Sequence, residues 1–375
     1  MKRFLLLAAA LLLVLPLAAA ARADTDGTGR FDYIVKADGT AAVTAYLAAD
    51  DPCVIPEELD GYRVTELDGC VSFSQKTYNA SFDTWMQTYI GTVEIPATVT
   101  RLSVYPEGAA VGRTPFVGVF YIRVAEGNPA YYDVDDVLFD RETDALLAYL
   151  RSDARETYAV PEGAKEIADG AFLGGRELKE IILPQSLTGI GAYAFYRNGA
   201  LEEITIPAGV ERIGEFAFPG GYVHAALRYV HVSPDNPYYC DADGVLISRQ
   251  DRKLIYYPAG RPEETYAVPE GVAIIGSQAF WGARTLHRID VPEGVEEIEA
   301  GAFMVGNLLN ADGSRYGGDL IISLPRSVAM ISGRMATRDM QYRYLFVVFP
   351  GSYAEAYCLQ HGLRVEYAEN TGETP

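Results

Sequence analysis

The sequence predicts a solenoid, mainly β with short helical turns, and three observations carry that prediction. Ile-x-x-x-Ala-Phe recurs at Ile167–Phe172, Ile190–Phe195, Ile213–Phe218, Ile275–Phe280 and Ile298–Phe303. Within each run the spacing is 23 residues, and prolines keep it at Pro161, Pro184 and Pro207 and again at Pro269 and Pro292. Between each Ala-Phe and the next proline stands a strand-like stretch, as in Leu178-x-x-Ile181-x-Leu183, Leu201-x-x-Ile204-x-Ile206 and Leu286-x-x-Ile289-x-Val291. A repeat of this length is one supersecondary unit that buries its apolar edge only by stacking on its neighbours.

Each part of the repeat has a physical reading. Ile181 and Leu183 alternate at period two and point to one face of a short strand, while Glu180 and Ile182 point to the other. The following proline lacks an N–H and stops the strand. The chain then turns, inserts an aliphatic residue such as Ile190 and makes a tight turn at Ala194-Phe195, where the small residue admits the backbone and the ring fills the interior. An amphipathic helix fits poorly, because the apolar spacing is irregular and glycines are frequent.

The rest of the chain falls around these repeats. Residues 1–23 read as a basic start, an apolar stretch and Ala21-Arg22-Ala23, an A-x-A signal that predicts cleavage after Ala23 and export. An uncleaved anchor fits less well, since Pro16 and the terminal small residues interrupt the apolar run. Residues 24–52 predict a capping hairpin with an Asp38-Gly39 turn, and 53–343 the solenoid. Asn128–Gly163 and Asn236–Gly271 match without a gap and predict β-hairpin insertions at 128–160 and 236–268, with polar turns at Arg141–Asp144 and Arg249–Arg252. Residues 73–92 and 305–318 leave the period and are read as loops. A cap is expected over 344–368, where Ser352-x-x-Glu355 reads as a capping box, Gly362 as a helix stop, and Ala354, Tyr357 and Cys358 as one helix face. The tail 369–375 reads as disordered.

The stretch "LPQSLTGIGAYAFYRNGALEEITIP" resembles the repeat of bacterial BspA-like leucine-rich-repeat surface and secreted proteins, roughly L-x-x-I-x-I-P-x-x-V-x-x-I-G-x-x-A-F. The resemblance extends over essentially the whole mature chain. It implies a leucine-rich-repeat solenoid with a curved parallel sheet on its concave side, and an extracellular role in binding a host or a surface.

Composition excludes several other functions. The chain has 375 residues and a formal net charge of −20, and removal of the leader leaves 28 basic against 51 acidic residues, or −23. Such a surface repels phosphate backbones and anionic membranes, so neither nucleic acid nor stable membrane insertion is expected. Cys53, Cys70, Cys240 and Cys358 form no C-x-x-C pair. Cys53 and Cys70 lie close enough in sequence to bridge in an oxidising compartment, but buried free thiols are the expectation. No H-E-x-x-H, G-x-S-x-G or G-K-[ST] motif occurs, and no enzyme and no cofactor are predicted. Gly189-x-Gly191-x-x-Ala194 matches a dinucleotide fingerprint formally, yet Ile-Gly-x-x-Ala recurs in other repeats and is read as packing. Asp133-x-Asp135-Asp136 and Asp241-x-Asp243-Gly244 suggest calcium loops, but they lack the required glutamate and are read as turns. His231, His287 and Asp290 do not complete a metal site.

The outward strand positions are the better candidates. One ladder reads Tyr121, Thr157, Glu180, Glu203, Tyr229, Thr265, Arg288 and Ile321. The other reads Arg123, Ala159, Ile182, Thr205, His231, Ala267, Asp290 and Ser323. Tyr and Arg are the types that anchor interfaces, so Tyr121, Arg123, Tyr229, His231, Arg288 and Asp290 are the expected binding residues on one concave sheet. The expectation is a secreted or cell-surface monomer that binds a protein or glycan. A passive spacer in a surface assembly is the alternative, and an enzyme with an unrecognised site ranks below both.

Overall fold

The structure, a computed structural model, describes residues 23–48, 50–72, 75–79, 84–88, 90–102, 119–150, 155–173, 175, 177–218, 226–305, 318–335 and 344–368, with the backbone alone over 69–90. The leader and the tail at 369–375 lie outside these residues, as does most of 305–318.

Every regular repeat contributes two short strands, one to each of two parallel sheets. In the front sheet Thr157–Ala159 pairs with Glu180–Ile182, which pairs with Glu203–Ile206 and that with Tyr229–Val232. In the back sheet Glu166–Ile167 pairs with Gly189–Ile190 and that with Arg212–Ile213. The partners Glu166, Gly189 and Arg212 stand 23 residues apart, so the sequence period is the rung spacing. The sequence spacing suggested only one inserted aliphatic residue at Ile190. The structure makes that residue half of a second sheet, because Glu166 and Ile167 already suffice for a two-residue ladder.

The prolines and the Ala-Phe pairs turn the corners. Proline carbonyls accept three residues on, as in Leu187 N–H to Pro184 at 3.2 Å and Val210 N–H to Pro207 at 3.3 Å. At the opposite corner a phenylalanine N–H donates to the alanine carbonyl of the next rung, Phe172 to Ala194 at 2.9 Å, Phe195 to Ala217 at 2.7 Å and Phe280 to Ala302 at 3.0 Å. The rings stack inside, with centroids 5.5 Å apart for Phe172 and Phe195 and 6.0 Å for Phe195 and Phe218. Glycine after the back-strand isoleucine follows from rung spacing. A Cβ on Gly191 or Gly214 would lie 2.5 or 2.3 Å from the backbone nitrogen of Asp169 or Ala192. The apparent dinucleotide fingerprint is therefore a packing requirement.

The residue before each Ala-Phe has a left-handed backbone. Gly170 and Gly301 meet this with φ of 63° and 69°, but Tyr193, Phe216 and Gln278 adopt 56°, 56° and 52°. A side chain there costs about 1–2 kcal/mol relative to glycine.

Two insertions divide the solenoid into blocks. Tyr131–Val134, Val137–Asp140 and Ala145–Tyr149 form an antiparallel meander, and the last strand pairs in parallel with Glu166–Ile167. Tyr239–Ala242, Val245–Ser248 and Lys253–Tyr256 repeat the arrangement, pairing onto Ile274–Ile275. Each insertion thus starts the back sheet of the next block. Its aromatic residues continue the interior stack, with Tyr149 on Phe172 at 5.1 Å and Tyr257 on Phe280 at 5.3 Å. Two buried asparagines lock the joints. Asn236, 2% exposed, donates to the carbonyls of Pro207 and Val210 at 2.9 Å and accepts from the N–H groups of Tyr238 and Tyr239 at 2.8 Å. Asn128 makes the same set with Pro96, Val99, Ala130 and Tyr131.

The ends are closed differently. Phe31–Val35 and Ala41–Tyr46 form a hairpin around Asp38 and Gly39, and its second strand lies parallel to Tyr62–Ser72. The stretch expected to be a loop at 73–92 instead holds an antiparallel pair, Gln75–Asn79 with Thr84–Thr88, followed by the front strand Ile90–Ile95. Its Thr and aromatic residues are strand formers that carry no Ala-Phe signature, which hid them from a search by period. At the C-terminus the helix Tyr353–Gln360 buries Ala354, Tyr357 and Cys358. Ser352 accepts from Glu355 N–H at 3.1 Å, and the Glu355 carboxylate reaches back to Gly351 N–H at 2.6 Å. The front sheet ends on Arg364–Tyr367.

Candidate functional site on the exposed strand ladders

Within each block the outward residues of the front strands form two ladders. Thr157, Glu180, Glu203 and Tyr229 are successive partners, and Thr205 faces His231. In the last block Thr265, Arg288 and Ile321 are partners, as are Ala267, Asp290 and Ser323. The residues between them, such as Ile181, Ile204, Val230 and Ile289, are buried.

The ladders do not run through the molecule without a break. The front sheet comes in segments of three, four and five strands, interrupted at the two insertions, which corrects the expectation of one continuous face. The cause is the first turn of each insertion, which occupies the edge where the next parallel strand would pair. Asp133 accepts from Val124 N–H at 2.7 Å and Asp241 from Val232 N–H at 2.8 Å, while Val230 N–H donates to the Gly244 carbonyl at 2.9 Å. Asp135-Asp136 and Asp243-Gly244 have consecutive positive φ values, the two-residue turn that suits a twisted hairpin. The second oxygen of Asp241 accepts from Gly244 N–H at 3.0 Å. These carboxylates terminate a sheet. Among the described residues no group of three or more His, Cys, Asp or Glu is placed to hold a metal ion.

The predicted binding residues fall into three pairs, each on its own segment. Tyr121 and Arg123 share the strand Val119–Val124, where Arg123 lies 3.2 Å from Asp136 and 3.7 Å from Asp133. Tyr229 and His231 stack with centroids 5.7 Å apart, and His231 lies 3.7 Å from Glu203. Arg288 is held by Asp290 through contacts of 2.8–2.9 Å and reaches Ser323 at 3.2 Å. His231 and His287 belong to different segments and do not converge with Asp290; His287 instead lies 3.7 Å from Glu264. Tyr121 and Tyr229 occupy the same place, the last front strand before an insertion.

Sequence reading missed Arg261. Its guanidinium is only 3% exposed and lies 5.4 Å from the Tyr229 ring centroid. It pairs with Asp243 at 2.6 Å and Glu263 at 2.9 Å and also donates to the Asp243 carbonyl. Burial opposes its charge, but these hydrogen bonds and charges win and hold its pKa above the ordinary arginine value. Arg261 therefore fixes the Asp243 turn against Tyr229, beside Gly244, where a Cβ would fall 2.6 Å from the ring. Its position in the second insertion is taken by Asp153 in the first, so comparing the two copies gave no signal. Cys53 and Cys358 are buried free thiols, and burial pushes both up to about 12. The side chain of Cys70 lies outside the described residues.

Comparison with known proteins agrees with this geometry. Residues 149–224 and 263–312 match the BspA type leucine rich repeat region in six copies. Over those two segments the chain carries leucine-rich repeats of the BspA type. No curated protein sequence matches it. Among solved structures it is similar to a leucine rich cell surface protein from Faecalibacterium prausnitzii, at 23% identity and a TM-score of 0.50, over 94% of this chain and 96% of that one. That likeness bears on the fold. The pneumococcal vaccine antigen PcpA aligns at 18% identity and a TM-score of 0.45, over 93% of this chain and 99% of that one. A leucine-rich repeat protein from Eubacterium ventriosum aligns at 15% identity and 0.43, over 85% of this chain and 95% of that one. No helix among the described residues is long and apolar enough to cross a membrane.

Proposed function

We propose that this repeat-based interaction protein acts outside the cytoplasm, secreted or at the cell surface, and recognises a protein partner through its front ladders. The observation that carries the reading is the alternation of the front strands, which buries every second residue and leaves paired rows of Glu, Thr, Ile and His exposed. An open sheet of mixed polar and apolar side chains suits a protein surface better than a small ligand. The export-type leader at 1–23 supports the location.

Tyr229 and Arg288 serve as anchors, with their neighbours as the rim. Binding of a panel of purified extracellular proteins, followed by calorimetric titration of any hit, tests this. Tyr229→Ala and Arg288→Ala are each expected to weaken the complex about thirtyfold, while Glu180→Ala has a smaller effect. Undiminished affinity in both anchor variants would remove the site from the front face.

A further inference from the structure

The back of the solenoid holds a groove that the front-face reading does not use. It lies where the first insertion-free run of back strands ends at Arg212–Ile213 and the second insertion brings in Lys253–Tyr256. The Tyr239 hydroxyl bridges the edge at this step, accepting from Ile213 N–H at 3.1 Å and donating to the Glu211 carbonyl at 3.4 Å. The step leaves a cavity of about 240 Å³, with Phe216, Trp281, Gln278, Lys253, Asp251 and Glu299 in its lining.

We infer that this groove is a binding site for a neutral carbohydrate. Three features of the lining point to that ligand class. First, aromatic rings are grouped there and only partly covered. Trp281 stacks on Tyr196 at 5.7 Å and meets Phe216 edge-on at 6.1 Å, and Phe216 stacks on Tyr193 at 5.2 Å. Rings of this kind offer an apolar platform to the C–H face of a pyranose. Second, the polar groups beside them are carboxylates, an amide and an ammonium, which together accept from and donate to sugar hydroxyls. Glu299 is already positioned by Lys253 at 2.7 Å and by Ser277 N–H at 2.7 Å, and Asp251 by Ser248 at 3.0 Å. Third, the charge selects against acidic sugars, since Glu215, Asp251 and Glu299 face one lysine. The volume is below the roughly 300–1,000 Å³ of sites for drug-sized ligands, which fits a single ring of a longer chain that runs out along the surface.

The backbone supplies an independent argument. The left-handed position before Ala-Phe is glycine at Gly170 and Gly301, neither of which lines the groove, and a larger residue at Tyr193, Phe216 and Gln278, of which Phe216 and Gln278 line it and Tyr193 stacks on Phe216. Strain of this sort persists where a side chain is needed at a site. Here two of the three strained side chains, an aromatic and an amide, face one cavity.

Titration of the full chain with neutral tetrasaccharides of glucose, mannose, xylose and N-acetylglucosamine, and with sialyllactose and digalacturonate as acidic controls, tests the inference. At least one neutral tetrasaccharide should bind saturably with a Kd below about 1 mM, as read by calorimetry. Trp281→Ala and Gln278→Gly should each weaken that binding by about tenfold or more. Gln278→Gly relieves the left-handed strain, so it should lose affinity while melting no lower than the parent. His231→Ala, on the front face, should bind the sugar as the parent does, which separates this site from the protein-binding face. The inference is overturned by no neutral binding at about 10 mM, by preference for the acidic sugars, or by unchanged affinity in both groove variants.

Discussion

Phe195→Ala is expected to lower the free energy of unfolding by about 3–5 kcal/mol, because the ring is fully buried between Phe172 and Phe218 in a dry stack. Its rung is tied to the neighbours by the Phe172 N–H bond to Ala194 and the Phe195 N–H bond to Ala217, so the backbone has little room to collapse into the space. Glu203→Ala on the exposed ladder is the control and should change stability by less than about 0.5 kcal/mol. Urea melts of the two variants check this. Equal destabilisation would mean that the inward and outward positions have been exchanged.

Asn236→Ala should cost about 2–4 kcal/mol through a different mechanism. The side chain is almost fully buried and satisfies two carbonyls of one block and two N–H groups of the insertion. Its truncation leaves buried backbone groups without partners, which costs more than the net value of the bonds removed. Since Asn236 joins two blocks, the urea transition should also broaden, with a lower apparent m-value, as cooperativity between the blocks weakens. A sharp transition with an unchanged midpoint would contradict the role assigned to this joint.

The sequence showed the repeat plainly because the same three demands recur in every rung. A strand needs alternate apolar residues, its end tolerates proline, and the far corner needs a small residue beside a large ring. Those demands are local, and Ile181, Pro184, Ala194 and Phe195 report them directly. The back sheet was less visible, since two residues such as Gly189 and Ile190 carry no alternation of their own. The breaks in the front sheet were invisible for another reason. They depend on where Asp133 and Asp241 place their carboxylates after the chain has folded back, and spacing along the sequence does not report that contact. The same holds for the site residues. Tyr229 with His231 and Arg288 with Asp290 were recognisable as neighbours on one strand, but Arg261 arrives against Tyr229 from 32 residues further on, across the insertion. Phe216 and Gln278 stand between Gly and Ala with no motif of their own, and only the folded chain brings them to one cavity.

The central claim is that rungs stack in register at 23-residue intervals and that the front sheet stops at each insertion. Paired cysteines on the front ladder test both halves in one experiment. Partners in adjacent strands bring their Cα atoms within the roughly 4.4–6.8 Å that a disulfide spans. Glu180→Cys with Glu203→Cys, direct partners in the four-stranded segment, should cross-link on mild oxidation, as read by peptide mass spectrometry. Tyr229→Cys with Thr265→Cys, which straddle the second insertion, should not. Failure of the first pair would contradict the register, and ready cross-linking of the second would show a continuous sheet in place of separate blocks.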